Sequence, residues 1–426
     1  MKLKPYPEYK DSGVEWIGKI PKDWKIKKLK HLTQNLDGKR VPISAESRIP
    51  GNIPYYGATG IVDYVGDYLF NEELLLVGED GAPFFEPYKD VSFIISGKSW
   101  VNNHAHVLKV LNTFNINLLM HSLNLADYSL YIKGSTRDKL NQDQLNIIPI
   151  IEPNEKEQLQ ITSFLDKKTS QIDKTIEKDI QLIELLKEKR TALINHAVTK
   201  GLDPDAKMKD SGVGWIGEIP EGWELTKIKF VSDRIVTGKT PPSDNFEYYN
   251  KEELNWFTPG DLTENFVLTE SSKKVSNLAL LDNKVIKYKP WSVLIVGIGA
   301  TLGKLGILRD YACSNQQINA IEFDQKKIMP KYGLYYLVGV KNNIISFSNT
   351  STIGIFNQTQ TANFQMLKPP FKEQKNIICF IDNNLSKIDA TIHKIERKIE
   401  LLEEYKKSLI HHVVTGKVDV REEVVV

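Results

Sequence analysis

The chain contains two copies of one sequence pattern in the same order. Residues 10–18 (KDSGVEWIG) return as residues 209–217 (KDSGVGWIG), and the match continues to Trp24 and Trp223. A second matched pair lies downstream, where residues 157–158 and 373–374 are both Glu-Gln. A pattern that repeats in order over this length predicts two similar units, each with its own core. We therefore expect a duplicated protein with one working site in each copy.

The bulk composition bounds the class of protein. A chain of 426 residues exceeds what one hydrophobic core usually covers, so two or more domains are expected. The 41% hydrophobic and 26% charged content is typical of a globular protein, and no apolar run predicts a membrane span. With no visible secretory signal and two cysteines lacking metal-ligand spacing, we expect a cytoplasmic protein. A net charge of +2 neither requires nor excludes nucleic acid, because a local group of Lys and Arg suffices for phosphates.

Each copy begins with short strand-like runs and ends in a long helical pattern. Apolar or alternating runs separated by turn residues predict strands at 74–77, 91–95 and 105–111, and at 293–296, 306–308 and 318–323. The predicted segments are a first strand-rich domain (1–153), a first long helix (154–200), a second strand-rich domain (201–370), a second long helix (371–417) and a tail (418–426).

The two helical segments carry apolar residues at heptad spacing in one shared frame. A helix over the first of them would be roughly 65 Å long and needs a partner for its apolar stripe. The second helix has matching length and phase, so we predict an antiparallel intramolecular coiled coil; pairing between two chains is the alternative. The predicted seam residues are Ile172, Ile176, Ile183, Leu186, Ile388, Ile392, Ile395, Ile399 and Leu402.

Charged residues interrupt this seam. Arg190 and Lys406 occupy the same position of the two copies, and Asp179 stands where the other copy has Ile395. Such charges fix helix register at a cost in stability. We expect Asp179 to reach water in preference to pairing with Arg190 or Lys406.

A glycine-rich run at residues 297–304 invites a phosphate-loop interpretation, which its spacing excludes. Gly299 and Gly303 enclose three residues where a P-loop needs four, and Leu305 follows Lys304 where the motif needs Ser or Thr. The run also misses the dinucleotide-binding spacing. The corresponding run of the first copy, residues 77–82, carries carboxylates, so both runs predict tight turns after a buried strand.

Two metal-site interpretations are weaker alternatives. Glu79 and Asp80 suggest a metal-dependent nuclease, but the second copy has no acids at the equivalent turn. His104 and His106 have a spacing that can bind metal, but no third ligand is apparent.

Three groups of side chains fit contact with DNA. Residues 102–104 and 315–317 supply Asn, Gln and His, and side-chain amides suit the edges of adenine; half-buried turn residues are an equal alternative. Loops 38–40, 133–137, 238–240 and 349–353 carry the hydroxyls and cations that hold phosphates, although solvated loops look alike. The candidate DNA-binding residues are Lys39, Arg40, Lys98, Asn102, Asn103, His104, Ser135, Thr136, Arg137, Lys239, Thr240, Lys304, Gln316, Gln317, Ser351 and Thr352.

Several blocks together resemble the specificity subunit of type I restriction-modification systems. They are residues 10–24 (KDSGVEWIGKIPKDW), 76–84 (LVGEDGAPF), 97–107 (GKSWVNNHAHV) and 414–421 (VTGKVDVR). The resemblance covers essentially the whole chain and is carried in both halves.

The resemblance implies an α+β fold in which two target-recognition domains are joined by two long antiparallel helices, as a cyclic, pseudo-twofold duplication. It also implies that the chain performs no chemistry, reads one half of a split DNA sequence with each domain, and docks two modification subunits. In that family the modification subunits use S-adenosylmethionine, and the restriction subunits use ATP and Mg²⁺. A specificity chain of a related system with a fused nuclease and methylase partner is the alternative. Because the candidate recognition regions diverge between the copies, the two half-sites should differ.

Overall fold

A computed structural model describes residues 4–86, 89–132, 138–251, 253–348 and 354–423. The chain forms two compact units, of which the first comprises Met1–Ile180 with Ile395–Val426 and the second Gln181–Lys394. Each long helix therefore contributes one part to each unit. The domain boundaries expected from the repeat, which assign every helix a segment of its own, stay a prediction.

The first unit contains twelve strands and two short helices among its described residues, followed by the start of the first long helix. The strands are β1 (Tyr9–Asp11), β2 (Lys19–Pro21), β3 (Lys25–Lys28), β4 (Thr33–Asn35), β5 (Pro50–Gly57), β6 (Gly60–Val65), β7 (Phe70–Asn71), β8 (Leu74–Gly78), β9 (Ser92–Ile95), β10 (Lys98–Val101), β11 (Ala105–Val110) and β12 (Pro149–Glu152). The helices are α1 (Ile116–Asn124), α2 (Gln142–Asn146) and the long α3 (Glu155–Lys200).

The second unit repeats this general order, with a longer segment between β16 and β20 than the first unit has between β4 and β8. Its strands are β13 (Met208–Asp210), β14 (Glu218–Pro220), β15 (Glu224–Lys227), β16 (Ser232–Thr237), β17 (Leu254–Phe257), β18 (Val267–Leu268), β19 (Lys274–Val275), β20 (Val293–Val296), β21 (Leu305–Leu308), β22 (Cys313–Ser314), β23 (Ile318–Phe323) and β24 (Gln365–Lys368). Its helices are α4 (Asn277–Leu281), α5 (Pro330–Gly339), α6 (Lys341–Ser348), α7 (Gln358–Asn363) and the long α8 (Phe371–Val414).

The main sheets of the two units share one plan. In the first unit the strand order is β4-β11-β8-β9, and in the second it is β16-β23-β20-β21-β18. Strands β8 and β20 are buried throughout because alternate side chains enter two different cores: Leu75 and Val77 pack into one cluster, and Leu74 and Leu76 into another. These positions confirm the strands predicted from the apolar runs.

The long helices run antiparallel within each unit. In the first unit Lys406 Nζ lies 2.7 Å from Asp173 Oδ1. In the second, Arg190 Nε lies 3.7 Å from Asp389 Oδ1, the same two repeat positions on the opposite helices. The predicted helix pairing is therefore confirmed in each unit. Among the predicted seam residues, Ile172, Ile183, Ile388 and Ile395 are buried, and Ile176, Leu186, Ile392, Ile399 and Leu402 are half-buried.

One of the two expectations for the seam residue Asp179 is wrong. Asp179 is only 7% exposed, so it does not reach water, although neither Arg190 nor Lys406 is its partner, as expected. Its carboxylate instead lies 2.8 Å from Nζ of Lys398, whose side chain is half exposed. The expectation was wrong because it considered only seam positions, whereas the lysine reaches in from the flank of the opposite helix.

Lys200, the last residue of α3, and Lys417, three residues after the end of α8, each connect a long helix to the Trp-bearing block of its unit. Lys417 Nζ donates to the carbonyl oxygen of Ile17 at 3.3 Å, and Lys200 Nζ donates to that of Ile216 at 3.4 Å. The repeated blocks therefore provide the hydrogen bonds that fix the C-terminal ends of the two long helices.

The repeated Glu-Gln pair has a similar structural role. Gln158 accepts a hydrogen bond from the amide of Asn115 at 2.8 Å and donates to the carbonyl of Pro153. Gln374 accepts from the amide of Met329 at 2.9 Å and donates to the carbonyl of Pro369. Each glutamine is buried and joins the start of a long helix to the start of α1 or α5.

No helix in the described part of the chain is long and apolar enough to span a membrane.

Candidate nucleic-acid interface

The amide turns, residues 102–104 in the first unit and 315–317 in the second, have the same construction. The side-chain oxygen of Asn102 accepts a hydrogen bond from the backbone amide of His104 at 2.8 Å. That of Asn315 accepts from the amide of Gln317 at 3.1 Å. Both asparagines are 8% exposed. Their amides are therefore used to hold the turn, as Asn side chains commonly do.

The next two positions of each amide turn are less buried than the asparagine. Asn103 and Gln316 are exposed, and His104 and Gln317 are half-buried. The repeat thus separates one residue that builds the turn from two that are accessible. The turn-residue interpretation therefore describes the asparagine of each unit. Of the following side chains, His104 is hydrogen-bonded to Asp80, and Gln317 accepts from Asn315 Nδ2 at 2.9 Å. Their assignment to DNA contact stays a prediction.

A buried pair supports the amide turn of the first unit. His106, which is 1% exposed, places Nδ1 2.6 Å from Asp37 Oδ2 and Nε2 2.8 Å from the carbonyl oxygen of Leu140. Asp37 also accepts from the backbone amide of Val107 at 2.8 Å. Burial raises the pKa of the Asp37 carboxyl, but the hydrogen bond and charge of His106 outweigh it, so the pKa lies below its ordinary value.

The second unit uses neutral groups in the same arrangement. The hydroxyl of Thr237 donates to the side-chain oxygen of Asn319 at 2.7 Å. The amide nitrogen of Asn319 donates to the carbonyl of Phe356 at 2.7 Å and to Thr361 Oγ1 at 3.0 Å. A fully satisfied buried network fixes one geometry, whether it is charged or neutral. Both amide turns therefore rest on rigid supports of different chemistry.

The carboxylates of the turn after β8 have partners. Arg40 Nη1 lies 2.6 Å from Glu79 Oε2, and Lys139 Nζ lies 3.1 Å from Glu79 Oε1. Asp80 is hydrogen-bonded to the ring of His104. The guanidinium of Arg40, whose side chain is 13% exposed, also donates to the carbonyl of Ala105 at 2.8 Å. Arg40 is thus positioned to hold this turn against the amide turn, with little surface left for a phosphate.

The metal-site alternatives find no support in these contacts. His106 has both ring nitrogens engaged, and Glu79 is bound by two cations. Across the described residues, no group of three or more His, Cys, Asp and Glu is arranged to hold a metal ion.

The other cationic candidates lie at several places on the two units. Lys39 is exposed beside the turn that carries Asp37, and the ammonium of Lys98 lies 4.8 Å from the centre of the Tyr68 ring. Lys239 donates to the carbonyl of Asn283 at 3.3 Å. Lys304 is half-buried at the end of the glycine-rich turn. Their assignment to DNA contact stays a prediction.

One contact joins two candidate loops of the second unit. Thr240 donates its hydroxyl hydrogen bond to Gln316. The preceding Gly238 lies so close to the amide turn that an added Cβ would be 2.1 Å from the carbonyl oxygen of Asn315. The glycine is therefore required for the approach of these two loops. The first unit has no such constraint, since a Cβ on Gly38 would meet nothing within 4 Å.

Five candidate residues lie outside the described residues. They are Ser135, Thr136 and Arg137 of the first copy and Ser351 and Thr352 of the second. Their assignment rests on sequence alone.

Sequence reasoning missed the supports of the amide turns. Asp37 and His106 belong to the first unit, and Thr237 and Asn319 to the second. Aligning the two copies would have placed these residues in pairs, but a charged pair and a hydroxyl–amide pair share no chemical signature in sequence.

Comparison with known proteins gives the same outline over nearly the whole chain. The family model described as type I restriction modification DNA specificity domain matches twice, over residues 21–185 and 220–403. A putative type I restriction enzyme specificity subunit from Haemophilus influenzae is 26% identical over 378 residues, covering 87% of each chain. The putative MjaX specificity subunit of Methanocaldococcus jannaschii is 25% identical over 446 residues, covering 95% of this chain and 96% of the relative.

Solved structures agree at the level of the fold. A chain from a type I restriction-modification system, described for its complex assembly and conformational transition, aligns with a TM-score of 0.68 at 14% identity, covering 94% of this chain and 99% of that one. The HsdS subunit from Thermoanaerobacter tengcongensis aligns with a TM-score of 0.52, also at 14% identity, covering 94% and 98%. The two family matches together span most of the sequence and fall one in each copy of the repeat. This chain therefore belongs to the family of type I restriction-modification DNA specificity proteins.

Proposed function

We propose that this chain selects the DNA target of a type I restriction-modification complex by reading a split, asymmetric sequence. Each unit would read one half of the target and carry out no chemistry itself. The observation that carries this proposal is the double family match, one match in each copy of the repeat. Two similar units that differ at their accessible turn residues fit two half-sites of different sequence.

The amide turns are the part of each unit that we assign to base reading. A side-chain amide can pair with the N6 and N7 atoms of adenine, and a Gln or Asn in the major groove commonly does so. The two positions after the buried asparagine are Asn103 and His104 in the first unit and Gln316 and Gln317 in the second, and the first position of each pair is exposed. The buried asparagines and the networks below them would hold these side chains at a fixed height above the base edges.

We further propose that the matched helices dock two copies of a modification subunit, with restriction subunits completing the complex in the cytoplasm. The Trp-bearing blocks hold the helix ends in the same way in both units, which suits two identical partners, because similar surfaces bind identical subunits. This chain would bind no cofactor. S-adenosylmethionine would be used by the modification subunits, and ATP and Mg²⁺ by the restriction subunits.

The test is a map of methylated adenines after co-expression with the modification subunit of the same system. We expect a two-part motif. Replacing Gln316 with Asn and Gln317 with His, so that the second amide turn copies the first, should change only one half of that motif. The matched control is the reverse replacement in the first unit, Asn103→Gln with His104→Gln, which should change only the other half.

Two results would contradict the proposal. One is methylation at a single continuous motif, and the other is a two-part motif that stays unchanged when residues 208–370 are replaced by those of a relative. Cleavage of DNA by the isolated chain with Mg²⁺, lost in Asp80→Asn, would instead favour the nuclease alternative.

A further inference from the structure

A cleft of about 490 Å³ in the second unit is lined by apolar and polar residues together with four cationic side chains. The basic cleft, as we call it, is formed by part of α3, the segment after β17 and the glycine-rich turn. Its charged residues are Lys187, Arg190, Lys304 and Lys341, with the single carboxylate of Glu264. Beside this lining, Glu184 pairs with Lys187 at 3.0 Å and Asp389 lies 3.7 Å from Arg190. The net excess of positive charge in the cleft therefore comes from Lys304 and Lys341, and such an excess concentrates anions.

Arg190 is held at a fixed place in this cleft. Its guanidinium donates to the side chain of Glu264 at 3.1 Å and to the carbonyl of the same residue at 3.0 Å. The group also lies 5.2 Å from the centre of the Phe266 ring. Because Glu264 is largely exposed, this ion pair is weak and its carboxylate can be displaced by a stronger anion. Arg190 Nε also lies 3.7 Å from Asp389 Oδ1, so the guanidinium contributes a fixed positive charge to the cleft, and the lysines supply the freely moving donors.

The glycine-rich turn connects the basic cleft with the second amide turn. At one end, a Cβ on Gly303 would lie 3.3 Å from the Lys341 side chain, so that lysine packs across the turn. At the other end, a Cβ on Gly299 would lie 3.5 Å from the amide nitrogen of Gln317. Part of the second amide turn and the cation Lys341 thus lie at the two ends of one short turn.

The matching cleft of the first unit has the opposite charge. Its volume is also about 490 Å³, and the repeat places Glu403, Lys406 and Lys407 where the basic cleft has Lys187, Arg190 and Thr191. Asp90, Asp166 and Asp173 line the same cavity. Four carboxylates against two lysines give this acidic cleft an excess of negative charge. Burial also lowers the pKa of His121 in its wall to about 4, so that ring adds no positive charge near neutral pH.

We infer that the basic cleft binds phosphate groups of the DNA backbone next to the half-site read by the second unit, and that the acidic cleft makes no such contact. This inference rests on the proposed function, because it needs the second amide turn to face a base edge. Phosphate contacts fix the register of a protein on DNA, while base contacts supply specificity. Only the second unit would therefore make this contact with the DNA backbone, although the fold is duplicated.

The chemistry of the cleft favours a phosphate over a carboxylate ligand. A fixed guanidinium with several flexible ammonium groups is the combination that surrounds a tetrahedral anion carrying several acceptor oxygens. Its continuity with the second amide turn favours the phosphodiester backbone over a free phosphate. An acidic segment of a protein partner is a separate possibility, which the test below distinguishes.

The test uses the full chain assembled with its modification subunit and measures affinity for a duplex across a range of salt concentrations. The variant is Lys304→Gln with Lys341→Gln. The control is Lys326→Gln with Lys372→Gln, two exposed lysines of the second unit outside the cleft, which makes the same change in net charge. Each lost phosphate contact should reduce the slope of log affinity against log salt by about 0.9. We expect a reduction of about 1.8 for the cleft variant and almost none for the control.

The expected loss of phosphate contacts is independent of DNA sequence. A duplex carrying the methylated motif and a scrambled duplex should therefore show the same change in slope. The motif found by methylation mapping should be the same for the parent and the cleft variant. An unchanged slope would overturn the inference. Weaker assembly with the modification subunit at unchanged DNA affinity would also overturn it, in favour of an acidic protein ligand. Binding of inorganic phosphate that the cleft variant abolishes, without a change in DNA slope, would assign the cleft to a free anion and equally overturn it.

Failure of the proposed function would look different. The parent complex would then show no preference for the motif duplex over the scrambled one. Unfolding measured by circular dichroism for both variants separates a loss of contact from a loss of structure.

Discussion

Nδ1 of His106 lies 2.6 Å from Oδ2 of Asp37, and this pair supports the first amide turn. The second unit builds the same support from Thr237 and Asn319 without any charge. The charged pair and the neutral pair thus support equivalent turns, and one pair can be exchanged for the other by mutation.

Exchanging one support for the other predicts a favourable coupling free energy between the substitutions at Asp37 and His106. His106→Asn alone leaves the buried carboxylate of Asp37 with one donor fewer, so it should lower the free energy of unfolding by about 1–3 kcal/mol. Adding Asp37→Thr supplies a hydroxyl that can donate to the new amide oxygen, as in the second unit. Much of the loss should then be recovered. A double-mutant cycle by urea denaturation measures this coupling, and a purely additive result would contradict the equivalence of the two supports.

A second prediction concerns acid stability. Burial, with a further contribution from Lys406, lowers the pKa of His121 to about 4. In the unfolded chain this histidine takes up its proton near its ordinary pKa of about 6.5, whereas the folded chain does so only near pH 4. The unfolded state therefore binds more protons between these values, and stability falls as the pH drops from 6.5 to 4.

The second unit carries Tyr335 at the matching position of its helix, so His121→Tyr is the suitable replacement. The parent should lose about 2–3 kcal/mol more than this variant between pH 6.5 and 4. Urea denaturation at several pH values measures the difference. His31→Tyr, at an exposed site, serves as the control and should track the parent. Parallel curves for the parent and His121→Tyr would contradict the burial effect.

The carboxylate of Asp179 predicts a stabilising substitution. Because Ile395 occupies the same repeat position, Asp179→Ile should pack in the seam and raise the free energy of unfolding by about 1–2 kcal/mol. Lys398→Met, which leaves the carboxylate buried without its partner, should lower it. The lysine is half exposed, so water can replace part of its contact and the loss should be about 1–2 kcal/mol. Thermal and urea unfolding check both signs, and a destabilising Asp179→Ile would show that the charge sets helix register.

The two copies also offer a matched pair of glycine substitutions. Gly238→Ala places a methyl group against the carbonyl of Asn315, so the amide turn must shift. We expect a loss of stability of about 1–3 kcal/mol and weaker reading of one half-motif. Gly38→Ala meets open space and should change neither property. Methylation mapping with both variants checks this, and equal effects would contradict the close approach found at Gly238.

Much of the fold was predictable because repetition and periodicity are recorded directly in sequence. The buried strands β8 and β20 stand out as apolar runs, and the long helices as heptads with Glu-Gln at their start. The partner of Asp179 was not predictable from the seam, since Lys398 approaches from outside it. The basic cleft was missed for a related reason, because Lys187, Lys304 and Lys341 are distant in sequence and meet only in the fold.

The candidate site was only partly predictable. Sequence correctly singled out residues 102–104 and 315–317 as turns rich in hydrogen-bonding groups, but it did not separate their roles. Asn102 and Asn315 are buried and accept a backbone hydrogen bond, and both properties depend on the strands that flank the turn. Arg40 has the composition of a phosphate contact, and its internal partners become apparent only when Glu79 is brought next to it.

The amide turns also affect how such a protein can change over time. A buried asparagine maintains the loop while the side chain directly after it is exposed. Substitutions at this exposed position therefore avoid most of the penalty that usually accompanies a mutation in a packed turn. Variation in what the protein recognises is thereby uncoupled from variation in whether it folds, and new preferences can arise without an intermediate that is too unstable to survive.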